Sequence, residues 1–96
     1  MYNVPKREVE RRSAPRFDFP STIEYIMDTP VLEGVHKAVT IDVSNTGMKA
    51  YMFSHHPLGD QIILKAPLPI ACHKATVCWI NKIQDDFYMV GLKCQA

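Results

Sequence analysis

The 96-residue chain has no apolar run long enough to span a bilayer, and its first ten residues lack the apolar core of a signal peptide. We therefore expect a cytoplasmic protein without membrane insertion. The chain also lacks a sustained amphipathic helical period, an internal repeat and a low-complexity tract, which argues against a helical bundle, a solenoid and a disordered protein. Its length suits one domain with a single modest core.

Cysteine is scarce, and its spacing is not that of a metal site. The three cysteines are Cys72, Cys78 and Cys94. Their number is odd, no two of them have Cys-x-x-Cys spacing, and each lies in or beside an apolar run. We predict that all three are reduced core residues. A zinc site needs closely spaced ligand pairs, and His73 would point to the opposite face of a strand from Cys72. No metal and no cofactor are therefore predicted.

Arginine is absent after residue 16. The four arginines are Arg7, Arg11, Arg12 and Arg16, whereas every later basic residue is a lysine. An arginine offers a planar fork that can bind a phosphate, or the O6/N7 edge of guanine, through two parallel hydrogen bonds. This segregation indicates a planar anionic ligand, with a solvated basic tail as the alternative.

The remainder of the chain has the pattern of an all-β protein. Residues 1–20 contain three prolines and no regular period, which predicts a flexible N-terminal arm. From residue 21 onward, short β-rich runs alternate with turn residues, which predicts a six-stranded antiparallel β-barrel over 21–96. Closing the sheet removes its exposed edges. The predicted strands are 22–27, 35–43, 48–53, 61–65, 70–80 and 87–94.

The same pattern gives expectations for individual side chains. Alternation predicts that Ile23 and Tyr25 share one face of the first strand. We expect Trp79 to belong to the core, although an indole at the barrel rim could also stack on a base. His55 and His56 lie at a turn just before Pro57 and are predicted to be exposed loop residues. The second strand should bury Val35, Val39, Ile41 and Val43.

Two short segments resemble the signatures of a known family. Arg11-Arg12-Ser13-Ala14-Pro15-Arg16 is similar to an Arg-Arg-x-x-x-Arg motif, and Asp42-Val43-Ser44-Asn45-Thr46-Gly47 to an Asp/Asn-x-Ser-x-x-Gly motif. The order and separation of the two match those of the PilZ domain. The resemblance extends to 77–80 and to 90–93, so it covers nearly the whole chain.

This resemblance implies a non-enzymatic effector that binds cyclic di-GMP, a dianion with two guanines. Phosphates and guanine edges would be bound by arginine forks, while a carboxylate would accept from the other edge of a guanine. The arm would then close over the ligand and alter the contact with an unidentified protein target. The ligand-binding residues implied are Arg11, Arg12, Arg16, Asp42, Ser44 and Gly47.

Other interpretations of the same residues stay open. The hexapeptide from Asp42 to Gly47 is also typical of a local Asx or Ser/Thr turn. A PilZ-like protein can act as a nucleotide-independent adaptor, because a fold does not fix a function. After residue 20 six lysines face seven acids, so no broad DNA-binding surface and no DNA partner are expected. No nucleophile and base pair is recognisable.

The end of the chain departs from the family pattern. Cys94 stands where the family tends to place an aromatic residue, and only two residues follow it. We expect the C-terminal helix of related domains to be short or absent. The predicted oligomeric state is a monomer or a weak dimer.

Overall fold

The computed structural model describes residues 16–29, 34–65 and 68–95, which form strands and turns. The strands are β1 (Phe17–Met27), β2 (His36–Val43), β3 (Gly47–Met52), β4 (Gln61–Leu64), β5 (Lys74–Gln84) and β6 (Phe87–Cys94). All neighbouring strands are antiparallel, and they close into a ring in the order β1-β2-β3-β6-β5-β4. The prediction of six antiparallel strands is confirmed.

A two-residue turn closes the hairpin of β5 and β6. Asp85 and Asp86 alone join β5 to β6, and both are exposed. Asp86 has a φ of 57°, a left-handed conformation that Asp tolerates better than most side chains. The described residues contain no helix that is long and apolar enough to cross a membrane.

The interior of the ring is filled by alternate side chains of all six strands. Ile23 and Tyr25 are both buried, as their alternation predicted. Met48 and Met52 fill the centre from β3. The other buried apolar residues are Ala38, Val43, Ala50, Ile62, Leu64, Cys72, Ala75, Val77, Tyr88, Val90 and Leu92.

The buried face predicted for β2 is wrong over most of the strand. Ala38 and Thr40 point inward, whereas Val39 and Ile41 are partly exposed and Val35, which precedes the strand, is exposed. The register between β2 and β3 shifts between Thr40 and Asp42. Such a bulge changes the phase of the alternation, so that Val43 is again inside as predicted.

β1 begins earlier in the chain than predicted, inside the segment that the sequence assigned to the arm. Phe17 pairs with Val43, and the β1–β2 register shifts between Asp18 and Ser21, where Pro20 lies. A proline is tolerated at such an irregularity because no ladder N–H is required there. The buried Thr40 hydroxyl accepts from the Ser21 N–H, and the carbonyls of Phe19 and Ser21 are both acceptors within reach of its single O–H.

The prediction of three reduced core cysteines is also wrong. Cys72 and Cys94 form a disulfide with 5.5 Å between their Cα atoms, and Cys78 is a free, exposed cysteine. The two partners are 22 residues apart in sequence. They meet because Cys94 on β6 pairs with Ala75 on β5, three residues after Cys72. β5 itself starts at Lys74, four residues later than predicted, because 70–73 form an irregular approach to it.

Candidate functional site

The Asp42 carboxylate has a cation on each of its oxygens. The Arg16 Nη1 donates to Oδ1 at 2.8 Å, and the Lys49 Nζ lies 3.2 Å from Oδ2. Asp42 is 9% exposed, because these two long side chains cover it. Its neighbour Val43 faces the interior, so alternation directs Asp42 to the outer face of the ring.

Strand pairing explains why these three residues meet. Lys49 is directly opposite Asp42 across the β2–β3 hairpin. Arg16 immediately precedes β1, on which Asp18 is opposite Asp42. Opposed side chains on one face of an antiparallel pair lie within contact distance. The hairpin and the start of β1 therefore bring the last arginine of the first motif to the first residue of the second.

This cluster is balanced in charge and partly open to solvent. Asp42 pairs with two cations, Arg16 and Lys49, and a second carboxylate, Asp18, is opposite Asp42 on β1. The side chains of Arg16 and Lys49 are 47% and 37% exposed. Solvent-exposed ion pairs contribute only about 0 to 1 kcal/mol, so their partners can be exchanged at small cost.

Lys49 extends the cluster into a row across four strands. Asp42 on β2, Lys49 on β3, Gly91 on β6 and Trp79 on β5 are consecutive pairing partners. Paired residues share a face, so this outer row crosses the outside of the ring. We use the name outer row for these four residues.

Trp79 is an exposed member of the outer row, contrary to the expectation that it belongs to the core. Trp79 is 39% exposed as a whole residue, and its indole lies against Gly91. A Cβ added at Gly91 would stand 2.0 Å from the indole Nε1, so only glycine leaves room for the ring in this position. A bulge between Val77 and Trp79 shifts the phase of β5 and turns the indole outward.

Ser44, by contrast, faces its own turn. It is 1% exposed, and its Oγ accepts from the Thr46 N–H at 3.2 Å and donates to the Gly47 carbonyl at 3.3 Å. The Ser44 N–H donates to the same carbonyl at 2.8 Å and closes the hairpin. These bonds are those of a local Ser/Thr turn, the alternative that the sequence left open.

Gly47 is required by close packing of the backbone. A Cβ at this position would lie 2.4 Å from the carbonyl oxygen of Leu92 on the neighbouring strand β6. Gly34 and Gly59 are the described glycines with a positive φ, and Gly47 is not among them. Gly47 is therefore required by the close approach of β6 and not by a left-handed backbone conformation.

A second polar cluster lies at the other end of β2. The Tyr25 hydroxyl and the His56 Nε2 are 2.7 Å apart, and His36 stacks on the Tyr25 ring with 5.2 Å between centroids. His56 is buried, so its prediction as an exposed residue is wrong, whereas His55 is exposed as expected. Burial raises the pKa of the Tyr25 hydroxyl above its ordinary value.

A cavity of about 470 Å³ adjoins this second cluster, and His36, His55 and His56 contribute to its lining. None of the predicted site residues lines it. Among the described residues, no group of three or more His, Cys, Asp or Glu side chains is arranged to hold a metal ion. The predicted site residues that the structure describes lie instead at the outer row or beside it, away from this cavity.

The structure brings together some of the predicted site residues. Arg16 contacts Asp42, while Ser44 and Gly47 form the adjoining turn. Arg11 and Arg12 lie outside the described residues. Lys49 was not identified from the sequence. A hairpin turn at 44–47 places residue 49 opposite residue 42, so counting back from the turn could have identified it.

Comparison with known families gives one match. The family model of the PilZ domain matches residues 10–96, a range that contains all six predicted site residues. None of the curated proteins compared with the chain matches it.

Proposed function

Since this chain belongs to the PilZ domain family, whose members are in general cyclic di-GMP-binding effectors, we propose that it binds cyclic di-GMP at the outer row. Arg11, Arg12 and Arg16 form one half of the proposed site. Asp42 and the turn that follows it form the other half. The family consists of binding and adaptor domains, and the role proposed for this chain is binding without catalysis.

The observation that carries this proposal is the doubly paired carboxylate of Asp42. An ionised carboxylate is an acceptor with about four lone-pair positions, so each oxygen can accept a further hydrogen bond. The N–H groups on the Watson–Crick edge of a guanine are donors of matching geometry. Arg16, already at Asp42, is within reach of a phosphate or of the O6/N7 edge of the same ligand.

Trp79 gives the outer row an apolar surface on which a base can stack. Asp42 and Trp79 are separated by three strand-to-strand spacings, roughly 14 Å between their strands. A ligand that contacts both residues needs two recognition groups, and a cyclic dinucleotide has two bases. Stacking of a base on an aromatic side chain contributes about 1 to 3 kcal/mol.

Ser44 and Gly47 support this site through the turn. The Ser44 hydroxyl holds the Thr46 N–H, and Gly47 permits close contact between β3 and β6. We include both residues in the proposed site because they form the turn that directly follows β2 and thereby fix the position of Asp42.

A nucleotide-independent adaptor is the second candidate, and one observation favours it. Phe53 and Phe87 stack with 5.8 Å between centroids, Tyr51 contacts Phe87, and Phe53 is 47% exposed. Exposed aromatic clusters are typical of protein contacts. An effector needs such a surface as well as a ligand site, so the nucleotide titration decides between the two.

Calorimetric titration of cyclic di-GMP tests the proposal. The unmodified chain should bind saturably, with one or two ligands per chain. Asp42→Ala, Arg16→Ala and Arg12→Ala should each weaken binding about tenfold or more, because each removes a charge-assisted hydrogen bond. Asp85→Ala, in the exposed β5–β6 turn, is the matched control and should leave affinity unchanged.

Three results would overturn the proposal. A chain that releases no heat and shows no binding by a second method would favour the adaptor. Binding that survives both Asp42→Ala and Arg16→Ala would mean that the site lies elsewhere on the chain. Steeply salt-dependent binding to long DNA, without nucleotide specificity, would instead support the basic-tail interpretation.

A further inference from the structure

Lys49 contacts Asp42 but belongs to neither sequence motif. Its Nζ lies 3.2 Å from Oδ2, and the Arg16 Nη1 is bonded to Oδ1 at 2.8 Å. Lys49 lies within a strand of the ring, β3, whereas Arg16 lies in the segment just before β1. The two cations are therefore unequal, although both neutralise the same carboxylate.

The backbone of Lys49 is held on both sides. β3 pairs with β2 at Asp42 and with β6 at Gly91, which places Lys49 in the middle of three paired strands. Arg16 precedes β1 and has no ladder partner of its own among the described residues. In the proposed function Arg16 is also one of the arginines whose guanidinium groups bind the ligand.

The fixed backbone of Lys49 and the proposed ligand contact of Arg16 indicate that Arg16 exchanges Asp42 for the ligand while Lys49 stays. When Arg16 turns from Asp42 to a phosphate or a guanine edge, Asp42 loses a counter-ion at 2.8 Å. Lys49 remains on the other oxygen, so the carboxylate keeps both a neighbouring positive charge and a fixed orientation. Without Lys49, the release of Arg16 would leave the Asp42 carboxylate without either of these two counter-ions and free to rotate.

We propose that Lys49 is a positioning residue for guanine recognition, which aims the Asp42 carboxylate at the ligand once Arg16 has left it. This inference rests on the proposed function and names the residue that sets its base specificity. Oδ2 can accept from Lys49 and from a guanine N–H at once, because each carboxylate oxygen has two lone-pair positions.

The quantity to measure is the preference for cyclic di-GMP over cyclic di-IMP. A lysine that only stabilised the fold would not change this preference. Hypoxanthine keeps the N1–H of guanine but lacks the exocyclic amino group, so it offers Asp42 one donor fewer. A carboxylate held in place should prefer cyclic di-GMP over cyclic di-IMP by about tenfold, the usual value of one charge-assisted hydrogen bond. A carboxylate that is free to rotate should lose most of that preference.

The experiment is calorimetric titration of both nucleotides into four proteins: the unmodified chain, Lys49→Met, Lys49→Arg and the control Lys37→Met. Lys37 is an exposed lysine on the same strand as Asp42 and pairs with Glu24. Lys49→Met should weaken cyclic di-GMP about tenfold and cyclic di-IMP by no more than about threefold. Lys49→Arg should retain the preference, and Lys37→Met should change neither affinity.

A double variant shows whether Lys49 acts through Asp42. With Asp42→Ala in place, adding Lys49→Met should not change the nucleotide preference further, because the group that Lys49 positions is gone. Thermal unfolding of each protein verifies that it is folded. If Lys49→Met does not fold, Lys49→Gln takes its place, since it removes the charge and keeps a polar head.

The outcomes separate this inference from the proposed function. If Lys49→Met weakens both nucleotides equally, Lys49 is only a nearby positive charge, and the inference is overturned while the proposed function stands. If the unmodified chain binds neither nucleotide, both are overturned. A lost preference in Lys49→Met, retained in Lys49→Arg, establishes the positioning role.

Discussion

The two ends of β2 hold polar clusters of opposite character. At its start, His36 joins Tyr25 and His56 in a buried group that includes a 2.7 Å hydrogen bond. At its end, Asp42 is paired with Arg16 and Lys49 on the outer face, where both cations are partly exposed. The buried group is part of the packing of the ring, while the outer group is accessible to a ligand.

The comparison separates polar residues that stabilise the fold from polar residues that can bind a ligand. A buried polar atom that loses its partner incurs a desolvation penalty of about 1 to 3 kcal/mol. An exposed ion pair contributes about 0 to 1 kcal/mol, so it can exchange its partner for a ligand. Changes in the Tyr25 cluster should therefore lower stability, and changes in the outer row should lower affinity.

The largest effect on stability should come from reducing the Cys72–Cys94 disulfide. A cross-link that closes a loop of this length contributes about 3 kcal/mol, and its loss should lower the free energy of unfolding by that amount. Denaturant titration of Cys72→Ser against Cys78→Ser measures this, with Cys78→Ser expected to be near neutral because Cys78 is exposed, forms no disulfide, and keeps a hydroxyl donor for the Gly91 carbonyl after the change to serine.

The disulfide also distinguishes the two clusters. The Cys94 N–H donates to the Thr46 carbonyl at 2.9 Å, so the cross-link adjoins the turn next to Asp42. After reduction, amide exchange should accelerate at residues 44–49 more than around Tyr25. Equal acceleration at both ends of β2 would show that the two regions are not independent.

Tyr25→Phe should lower the free energy of unfolding by about 1.5 kcal/mol, because His56 loses a buried hydrogen bond while the aromatic ring stays. Denaturant titration measures the loss. Tyr51→Phe, on the outer face, is the control and should be near neutral. A neutral Tyr25→Phe would contradict the structural role assigned to this cluster.

Alkaline pH should destabilise the fold through the same hydroxyl. Burial raises the pKa of Tyr25, so the folded state retains the proton at pH values where the unfolded state has lost it. The Tyr25 contribution is complete below the ordinary value of about 10 and declines as the pH rises above it. Unfolding measured from pH 9 to 11 should show a shallower decline in Tyr25→Phe than in Tyr51→Phe.

The smallest effect on stability is expected in the outer row. Asp42→Ala should change the free energy of unfolding by less than about 1 kcal/mol, because it removes two partly exposed ion pairs. The same denaturant titration measures this change. A loss above about 3 kcal/mol would place Asp42 among the residues that hold the ring together.

The six strands were predictable from the sequence, whereas the inner face was predicted only in part, and the errors have physical causes. Alternation in β1 correctly identified Ile23 and Tyr25 as buried. In β2 and β5, bulges change the phase of the alternation, which no period-two pattern contains. For this reason Ala38 and Thr40 were missed as inner residues and Trp79 was assigned to the core.

Contacts between distant segments were the least predictable part of the site. The disulfide depends on which strands are neighbours, and the burial of His56 depends on Tyr25, 31 residues earlier. The contact between Arg16 and Asp42 likewise depends on the pairing of β1 with β2. The two motifs predicted the participants, while strand pairing determines their geometry.

The most direct test of the central claim uses the fluorescence of Trp79, the single tryptophan of the chain. Titration with cyclic di-GMP should quench it saturably, at the same concentrations at which calorimetry detects binding, because a base stacks on the indole. Quenching should weaken with Asp42→Ala and persist with Asp85→Ala. Fluorescence that stays constant while calorimetry detects binding would contradict the account, because the ligand would then be bound away from the outer row.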